Sequence, residues 1–519
     1  MRTRRVGSPA RDLRRLFATG RGWRVEAWCR RGVGFLACTR SRAMERVVEL
    51  ATARERDVRR AEGAYGAFCA LVVTEDGGGG GGDDDDDFTA AADGGGGGFV
   101  RDVRAYVVSA ASGTKCAALR HRSREGDGVA DAHAETLAVR AFRRWLHGET
   151  RALAEGRRSV WTRAEGGLDE KGGGGAVARV RLRRGVAVHA YCSQSPCGDA
   201  SVFRVPDGAS AGPGADPGAD ARGRVKRAKT TGAEGGGAGT TGAKIWSAET
   251  LGGGGGSDPE RERATQERGA IRWKPGRGDP SFCLSCSDKL CRWQMVGLQG
   301  KLLRLIAPEA IRLRSISVAI PRVREEFEDE TKRVVQEALK RAIVDRVRED
   351  GREGDEEDAP TCVAVPPGSD GSSSYDAVVA GAGVASPISS VYIAPPSHVL
   401  TESSSVTAPK DAKAPPRVER ILGAVGYLAG FNKKCRANGA AASSLSARRL
   451  CESFDRDVLS HAHPSVRESL RAKSYAQVKA TCAALAGSPP ARRNPIAVAL
   501  LSPLPGKDKS FAESFIPFP

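Results

Sequence analysis

The sequence predicts an α/β layered fold, and three observations carry that expectation. Apolar runs of strand length, such as Ala67–Val73 and the GVAVHAYC of 185–192, are separated by stretches of helical periodicity. The clearest helix lies in GVADAHAETLAVRAFRRWL, where Ala134, Leu137, Ala138, Ala141, Phe142 and Trp145 recur at about 3.6-residue spacing. Strands that alternate with helices bury their apolar faces by layering helices on a sheet.

Taken in order, the chain opens with a charged helical stretch from Met44 to about Glu62, then the Ala67–Val73 strand. A strand at 103–110, centred on Tyr106, Val107 and Val108, leads into Ser112-Gly113-Thr114-Lys115-Cys116. The His133 helix follows, and Gly148 is read as its end. The 185–192 strand runs into SQSPCGDASVF, where Pro196 reads as a helix start. Further on, Ser287 is the expected cap of a helix carrying Leu290, Trp293, Met295, Leu298 and Leu302. A strand at 311–320 and an Arg/Glu-rich helix at about 323–349 complete the middle section. After 376 the signals weaken to strands at 390–394 and 424–430 and helices near 445–460 and 464–486.

Length alone would allow two to four domains in 519 residues. Low-complexity runs lower that number, because Gly77–Gly82, Asp83–Asp87 and Gly94–Gly98 cannot build a packed core. The reading is therefore a basic extension over 1–43 and one large domain over 44–519. Disordered insertions are expected at about 74–98, 165–176, 207–257 and 349–375.

The formal charge is +18, of which residues 1–43 supply +10 through twelve arginines against Asp12 and Glu26. The remainder is still basic, which favours a polyanionic partner such as a nucleic acid. The Arg-rich, acid-poor start fits an organelle transit peptide, or an upstream extension with Met44 as the true start. The expected compartment is cytoplasm or nucleus, or an organelle under the transit-peptide reading. The cluster Arg222-Gly-Arg224-Val-Lys226-Arg227-Ala-Lys229 reads equally as a nuclear-localisation or phosphate-contacting patch and as a basic linker. No apolar run reaches the roughly 18 residues of a membrane span. Thirteen cysteines scattered without a secretory signal suggest reduced thiols or metal ligands. Oligomeric state is not legible.

Three short words carry the chemistry: His133-Ala-Glu135, Pro196-Cys197-Gly-Asp199 and Ser285-Cys286-Ser287-Asp288-Lys289. One imidazole and two thiolates suit Zn²⁺ and leave a fourth position for water, whose pKa the metal lowers to about 7. Glu135, on the same helix turn as His133, is placed to take that water's proton and pass it on. Zinc deaminases combine such ligands with a non-ligand Glu. Their usual second cysteine is replaced here by Ala200, which points to Cys286 as the third ligand. A competing reading groups Cys192, Cys197, Cys283 and Cys286 as a closed structural zinc site, leaving His133 and Glu135 idle.

The words SGTKC (112–116), DAHAETLAVR (131–140), YCSQSPCGDASVF (191–203), KPGRGD (274–279) and SCSDKLCRWQMVGLQGKLL (285–303) resemble the editase-type adenosine deaminases. The resemblance covers about 44–519 with interruptions and is faint after about 376. It implies a cytidine-deaminase-like αβα layered core with additional C-terminal α+β elements. It also implies zinc on His133, Cys197 and Cys286, Glu135 as proton donor, and Thr114 and Lys115 in a loop that meets the target nucleotide. The KPGRGD word looks like the branch acting on tRNA, which converts the adenosine 3′ of the anticodon in alanine tRNA to inosine. No double-stranded-RNA-binding domain is recognisable in 1–110, which favours that branch over editing of duplex RNA. A third, non-catalytic reading is a basic RNA-binding protein with a structural zinc.

The family also buries inositol hexakisphosphate. Positions resembling its contacts are Arg140, Lys244, Lys289, Arg292, Trp293, Gln299, Tyr475 and Lys479, with Lys244 aligned to the lysine linking zinc site and ligand. This chain departs from that pattern at Val139, Lys301, Glu452, Leu485 and Phe515.

Overall fold

A computed structural model describes residues 35–62, 66–76, 103–123, 125–164, 179–204, 206, 238–239, 244–245, 267–274, 281, 283–321, 323–348, 359–366, 386–397, 416–462, 464–470, 477 and 494–501. The chain divides into two units, 1–46 and 47–519, and the sheet and the site belong to the second. Helix α1 (Phe35–Glu62) crosses that boundary.

The expected alternation is present. Strands β1 (Phe68–Asp76), β2 (Val103–Ser112), β3 (Thr114–Cys116) and β4 (Asp131–His133) precede helix α2 (Ala134–Ala154). Then come β5 (Val186–Cys192), β6 (Lys244–Ile245), β7 (Arg272–Lys274), β8 (Cys283–Leu284) and helix α3 (Cys286–Val296). The C-terminal half contributes β9 (Leu313–Ala319), helix α4 (Glu328–Ile343), β10 (Thr361–Val365), β11 (Ile388–Ile393), β12 (Arg417–Leu422), β13 (Tyr427–Leu428) and helix α5 (Ala447–Asp457). Eight strands form one mixed sheet in the order β10–β9–β5–β1–β2–β11–β12–β13. The pairs β5–β9 and β9–β10 are parallel, and the remaining neighbours are antiparallel. The fold class is thus mixed α/β.

The central place of β1 explains its sequence. It is hydrogen-bonded on both sides, to β2 and β5, and all its residues but Asp76 are buried. A strand covered on both faces reads as a continuous apolar run instead of an alternating one. β1 extends past the expected Val73 because Glu75, although buried, is compensated: Tyr106 donates to it, and Arg158 and Arg183 form ion pairs with it.

Helix α2 packs across β1, β2 and β11 and buries the predicted face, with Phe142 and Trp145 stacked at 5.7 Å. Fully burying each such side chain contributes roughly 1.5–3 kcal/mol. Gly148 does not end the helix, which runs to Ala154. The reason is Glu149, whose buried carboxylate accepts from Val160 N at 2.9 Å, Ser159 Oγ at 3.0 Å and Ser397 Oγ at 2.8 Å. These bonds hold the last turns of α2 between two neighbouring segments, and a Cβ at position 148 would meet only Pro396 at ordinary contact distance.

Three strands lie inside stretches expected to be unstructured. β10 falls within 349–375, where Cys362 and Ala364 alternate inward beside β9, while β6, paired with β7, and Ala238–Gly239, paired with Phe203–Arg204, fall within 207–257. β12 has no counterpart among the strands read from the sequence, because its exposed Arg417 and Arg420 and its buried, hydrogen-bonded Glu419 mask the buried Ile421. The Gly/Asp runs, Arg222–Lys229, Tyr475, Lys479, Leu485 and Phe515 lie outside the described residues.

Candidate metal and catalytic site

His133 ends β4 and caps α2, with extended backbone angles of −72° and 146°. β4 pairs with β3 so that Thr114 lies opposite His133, Lys115 opposite Ala132 and Cys116 opposite Asp131. The expected substrate residues are therefore the cross-strand neighbours of the expected metal ligand. Gly113 makes the turn possible at φ +143°, where a Cβ would lie 2.2 Å from both Ala132 O and Ser389 Oγ.

The two cysteine words are fastened to each other by serines. Ser287 Oγ donates to Pro196 O at 3.1 Å and Cys197 O at 3.0 Å and accepts from Ala200 N at 3.1 Å. Gly198 sits at φ +108°, and a Cβ there would come 2.2 Å from Ser285 Oγ. Cys286 is the first residue of α3, and its cap is Ser285, which accepts from Asp288 N, and not the expected Ser287. Ser287 is the clasp to the Cys197 loop instead. Cys197 leads into a single 3₁₀ turn, Asp199–Ser201, and not a full helix. The turn stops there because Asp199 is committed outward, to Gly269 N at 2.7 Å, Arg341 Nε at 3.1 Å and Arg272 Nη1 at 3.4 Å.

Cys197 stands between the other two expected ligands, its thiol hydrogen-bonding both the His133 ring and Cys286. The Cys286 N–H points at Cys197 Sγ across 3.4 Å. Cys197 is held well below the ordinary thiol value by its hydrogen bond with Cys286, against burial, with Lys274 and His133 adding to the effect. Lys274 Nζ donates to Cys286 Sγ at 3.1 Å and to Asp131 Oδ2 at 2.7 Å. His133 Nδ1 lies 2.8 Å from Asp131 Oδ1 and 3.1 Å from Lys115 O. Burial and Lys274 oppose its protonation, yet Asp131 brings the ring up to about 9.

Glu135 is buried in the first turn of α2. Desolvation raises its pKa, the Cys197 charge adds to the effect, and Lys274 opposes it. Its Oε2 and the Oγ1 of Thr114 are buried and make no hydrogen bond among the described residues. Leaving such an atom unpaired costs about 1–3 kcal/mol, which a group hydrogen-bonding there would offset. Cys116, Asp131 and His133 also bring donor atoms within 4.8 Å of one another, a group compatible with zinc.

Three residues here were not named as site residues from the sequence: Asp131, Lys274 and Cys116. Asp131 and Lys274 each belong to a motif word, DAHAE and KPGRGD, and only their short spacing to a ligand or their place in that word could have pointed to them. The closed four-thiolate alternative does not form: Cys192 faces Cys69 at 3.8 Å, and Cys283 faces Cys116 and Arg122.

The inositol phosphate positions are scattered in their commitments. Arg140 donates to Leu445 O, Lys289 to Asp131 and Thr136, and the Gln299 amide to Ala307 O and Glu309 O while accepting from Ile311 N. Trp293 is buried under Arg143, 5.7 Å from its ring centroid. Lys244 pairs with Trp273 through its backbone, so the lysine joined to the zinc-ligand set among the described side chains is Lys274. Arg292 is half-buried, and burial together with Arg292 and Arg304 lowers the pKa of Lys301. Of the departures, Val139 is buried and Glu452 pairs with Arg449 at 2.8 Å.

Residues 109–486 match the family described as the adenosine-deaminase (editase) domain. Over 211 residues the chain is 30% identical to "tRNA-specific adenosine deaminase 1" of Drosophila melanogaster, covering 41% of this chain and 43% of that protein. It is 30% identical over 216 residues to "Double-stranded RNA-specific editase Adar" of the same species, covering 41% of this chain and 26% of the relative. To the human "tRNA-specific adenosine deaminase 1" it is 26% identical over 309 residues, covering 46% and 57%. The chain thus spans between about a quarter and three fifths of the length of these relatives. No helix among the described residues is long and apolar enough to cross a membrane.

Proposed function

The chain belongs to the adenosine-deaminase (editase) domain family, and from that premise we propose that it hydrolytically deaminates adenosine to inosine in tRNA, on a cytidine-deaminase-like αβα core within residues 44–519. The observation that carries the reading is the open pair Glu135 Oε2 and Thr114 Oγ1 beside the convergent His133, Cys197 and Cys286.

We assign zinc to those three residues in preference to Cys116, Asp131 and His133. In the latter group Asp131 already balances Lys274 and Lys289 and engages His133 Nδ1. A carboxylate on one ring nitrogen is the usual support for a histidine that offers its other nitrogen to a metal. Bound there, zinc would supply an activated water of pKa near 7. Glu135 then takes the water's proton, transfers one to the adenine ring as C6 is attacked, and protonates the departing ammonia. Its raised affinity for a proton suits a group that must both accept and release one. Thr114 Oγ1 and Lys115, across the hairpin from His133, contact the flipped nucleotide. Extruding that base costs a few kcal/mol, least in an exposed loop.

The tRNA assignment is supported by the KPGRGD word and by the names of two of the relatives, with the adenosine 3′ of the anticodon in alanine tRNA as the expected site. Editing of double-stranded RNA is the second reading, because a relative named for that substrate is matched at the same 30% identity. We further propose inositol hexakisphosphate against Arg292, whose half-buried guanidinium has no acidic partner among the described residues. Incubation of the zinc-loaded protein with alanine tRNA transcripts and with long duplex RNA, followed by nucleoside mass analysis, separates the readings. Inosine is expected in the tRNA alone, and inosine confined to the duplex would overturn the tRNA assignment.

A further inference from the structure

Two thiol pairs flank the site, and they differ in the charged groups that face them. Cys69 and Cys192 are register partners on β1 and β5, 3.8 Å apart, each only 1% exposed. Their hydrogen bond and burial raise the Cys192 thiol well above its ordinary value. No guanidinium or ammonium donates to either sulfur among the described residues. Such thiols are inert.

Cys116 and Cys283 form the other pair. Cys116 lies on β3, part-exposed, 3.6 Å from His133 Nδ1. Cys283 opens β8, and its thiol meets that of Cys116 in a hydrogen bond. Arg122 Nη2 donates to Cys283 Sγ at 3.4 Å, and Ala130 O, next to the partner strand of Cys116, lies 4.0 Å from the same sulfur. The hydrogen bond from Cys116, with Lys289 and Arg122 nearby, holds Cys283 below the ordinary thiol value against the cost of burial. A thiolate stabilised by cations beside a second thiol is the arrangement that peroxides oxidise.

We infer that Cys283 is a peroxide-oxidation site and that Cys116 resolves it to a Cys116–Cys283 disulfide. The Cys283 sulfur attacks one oxygen of hydrogen peroxide, the O–O bond breaks, and the departing hydroxide is protonated to water, leaving a sulfenic acid. The Cys116 sulfur then attacks that sulfur, the S–O bond breaks, and the hydroxide leaves as water with the Cys116 proton. Two thiols lose two electrons in total, and one peroxide becomes two waters. The new bond ties the Thr114–Cys116 strand to the strand that leads into α3, and so fixes the hairpin facing His133. Cys197 and Cys286, engaged by the metal, are not consumed.

The test uses the full-length zinc-loaded protein exposed to hydrogen peroxide, then denatured, alkylated and mapped by peptide mass spectrometry, with zinc content measured alongside. The expected result is joint protection of Cys116 and Cys283 that a phosphine reverses, with zinc retained and Cys69 and Cys192 still alkylated. Cys283→Ser, and independently Cys116→Ser should the first variant fold poorly, abolish the linked peptide. Unprotected Cys116 and Cys283 after peroxide overturns the inference. So does a disulfide that survives in Cys283→Ser and appears only as zinc is released. The readout is peptide mass, so its outcome does not depend on which RNA is the substrate.

Discussion

Glu135→Ala is expected to leave the fold and the zinc in place and to remove inosine formation, with a loss on the order of 10²–10⁴-fold or more. The size follows from the role: without the carboxylate no group in the pocket moves the water's proton to the ring. Stability should not fall, because the variant removes a buried acid whose Oε2 has no partner among the described residues and whose pKa burial has already raised. The contacts that hold His133, Cys197 and Cys286 run through Asp131, Lys274 and Ser287, none of which depends on Glu135. Zinc content by elemental analysis and single-turnover deamination on the same preparation check this. Near wild-type turnover would remove Glu135 from the mechanism and favour a non-catalytic RNA-binding protein.

Asp131→Ala is expected to have the largest effect on stability. The carboxylate receives Lys274 at 2.7 Å, Lys289, and both the ring and the backbone N–H of His133. Removing it leaves the buried Lys274 and the half-buried Lys289 without their shared carboxylate, and stripping one partner from a buried pair costs about 3–5 kcal/mol. The nearby Cys286 and Cys197 sulfurs still offer Lys274 some compensation, which places the expectation at the lower end, about 3 kcal/mol. His133 also loses the group that fixes its ring, so zinc affinity should fall by roughly 10–100-fold. The pH dependence has a definite sign. Burial raises the Asp131 carboxyl, but Lys274, Lys289 and His133 hold it well below its ordinary value. Its contribution is therefore complete above the ordinary carboxylate range near pH 4 and is lost as pH falls through the depressed folded value. A urea midpoint that drops at pH 7 with an unchanged slope is the expected observation. Equal midpoints for variant and wild type would show that Asp131 is not the hub of the site.

The parts of the molecule that could be read from the sequence are those where local pattern and tertiary demand agree. β1, β2, β5, α2 and α3 announce themselves because an apolar run or a 3.6-residue stripe is also what their burial requires. Glu75 and Glu149 concealed element ends, since an acid normally reads as surface until its partners, far away in sequence, are known. β12 and β10 were hidden for the same reason, by charge on an exposed face and by an acidic flank. For the site, residue chemistry and family resemblance proposed His133, Glu135, Cys197 and Cys286, and in the fold the Cys197 thiol hydrogen-bonds His133 and Cys286. The supporting layer was not legible. Lys274 reaches Asp131 across 143 positions of sequence, and no local spacing signals that pair. Lys244 could be assigned by alignment alone, whereas Lys274 had to be seen beside Cys286.

The most direct test is X-ray absorption spectroscopy of the zinc-loaded protein, compared with Cys286→Ser and Cys116→Ser. Two sulfur ligands and one imidazole in wild type, one sulfur fewer in Cys286→Ser and no change in Cys116→Ser is the predicted result, with sulfur at about 2.3 Å and nitrogen at about 2.0–2.1 Å. A sulfur ligand lost in Cys116→Ser but kept in Cys286→Ser would place the metal on Cys116, Asp131 and His133 and contradict the site proposed for deamination.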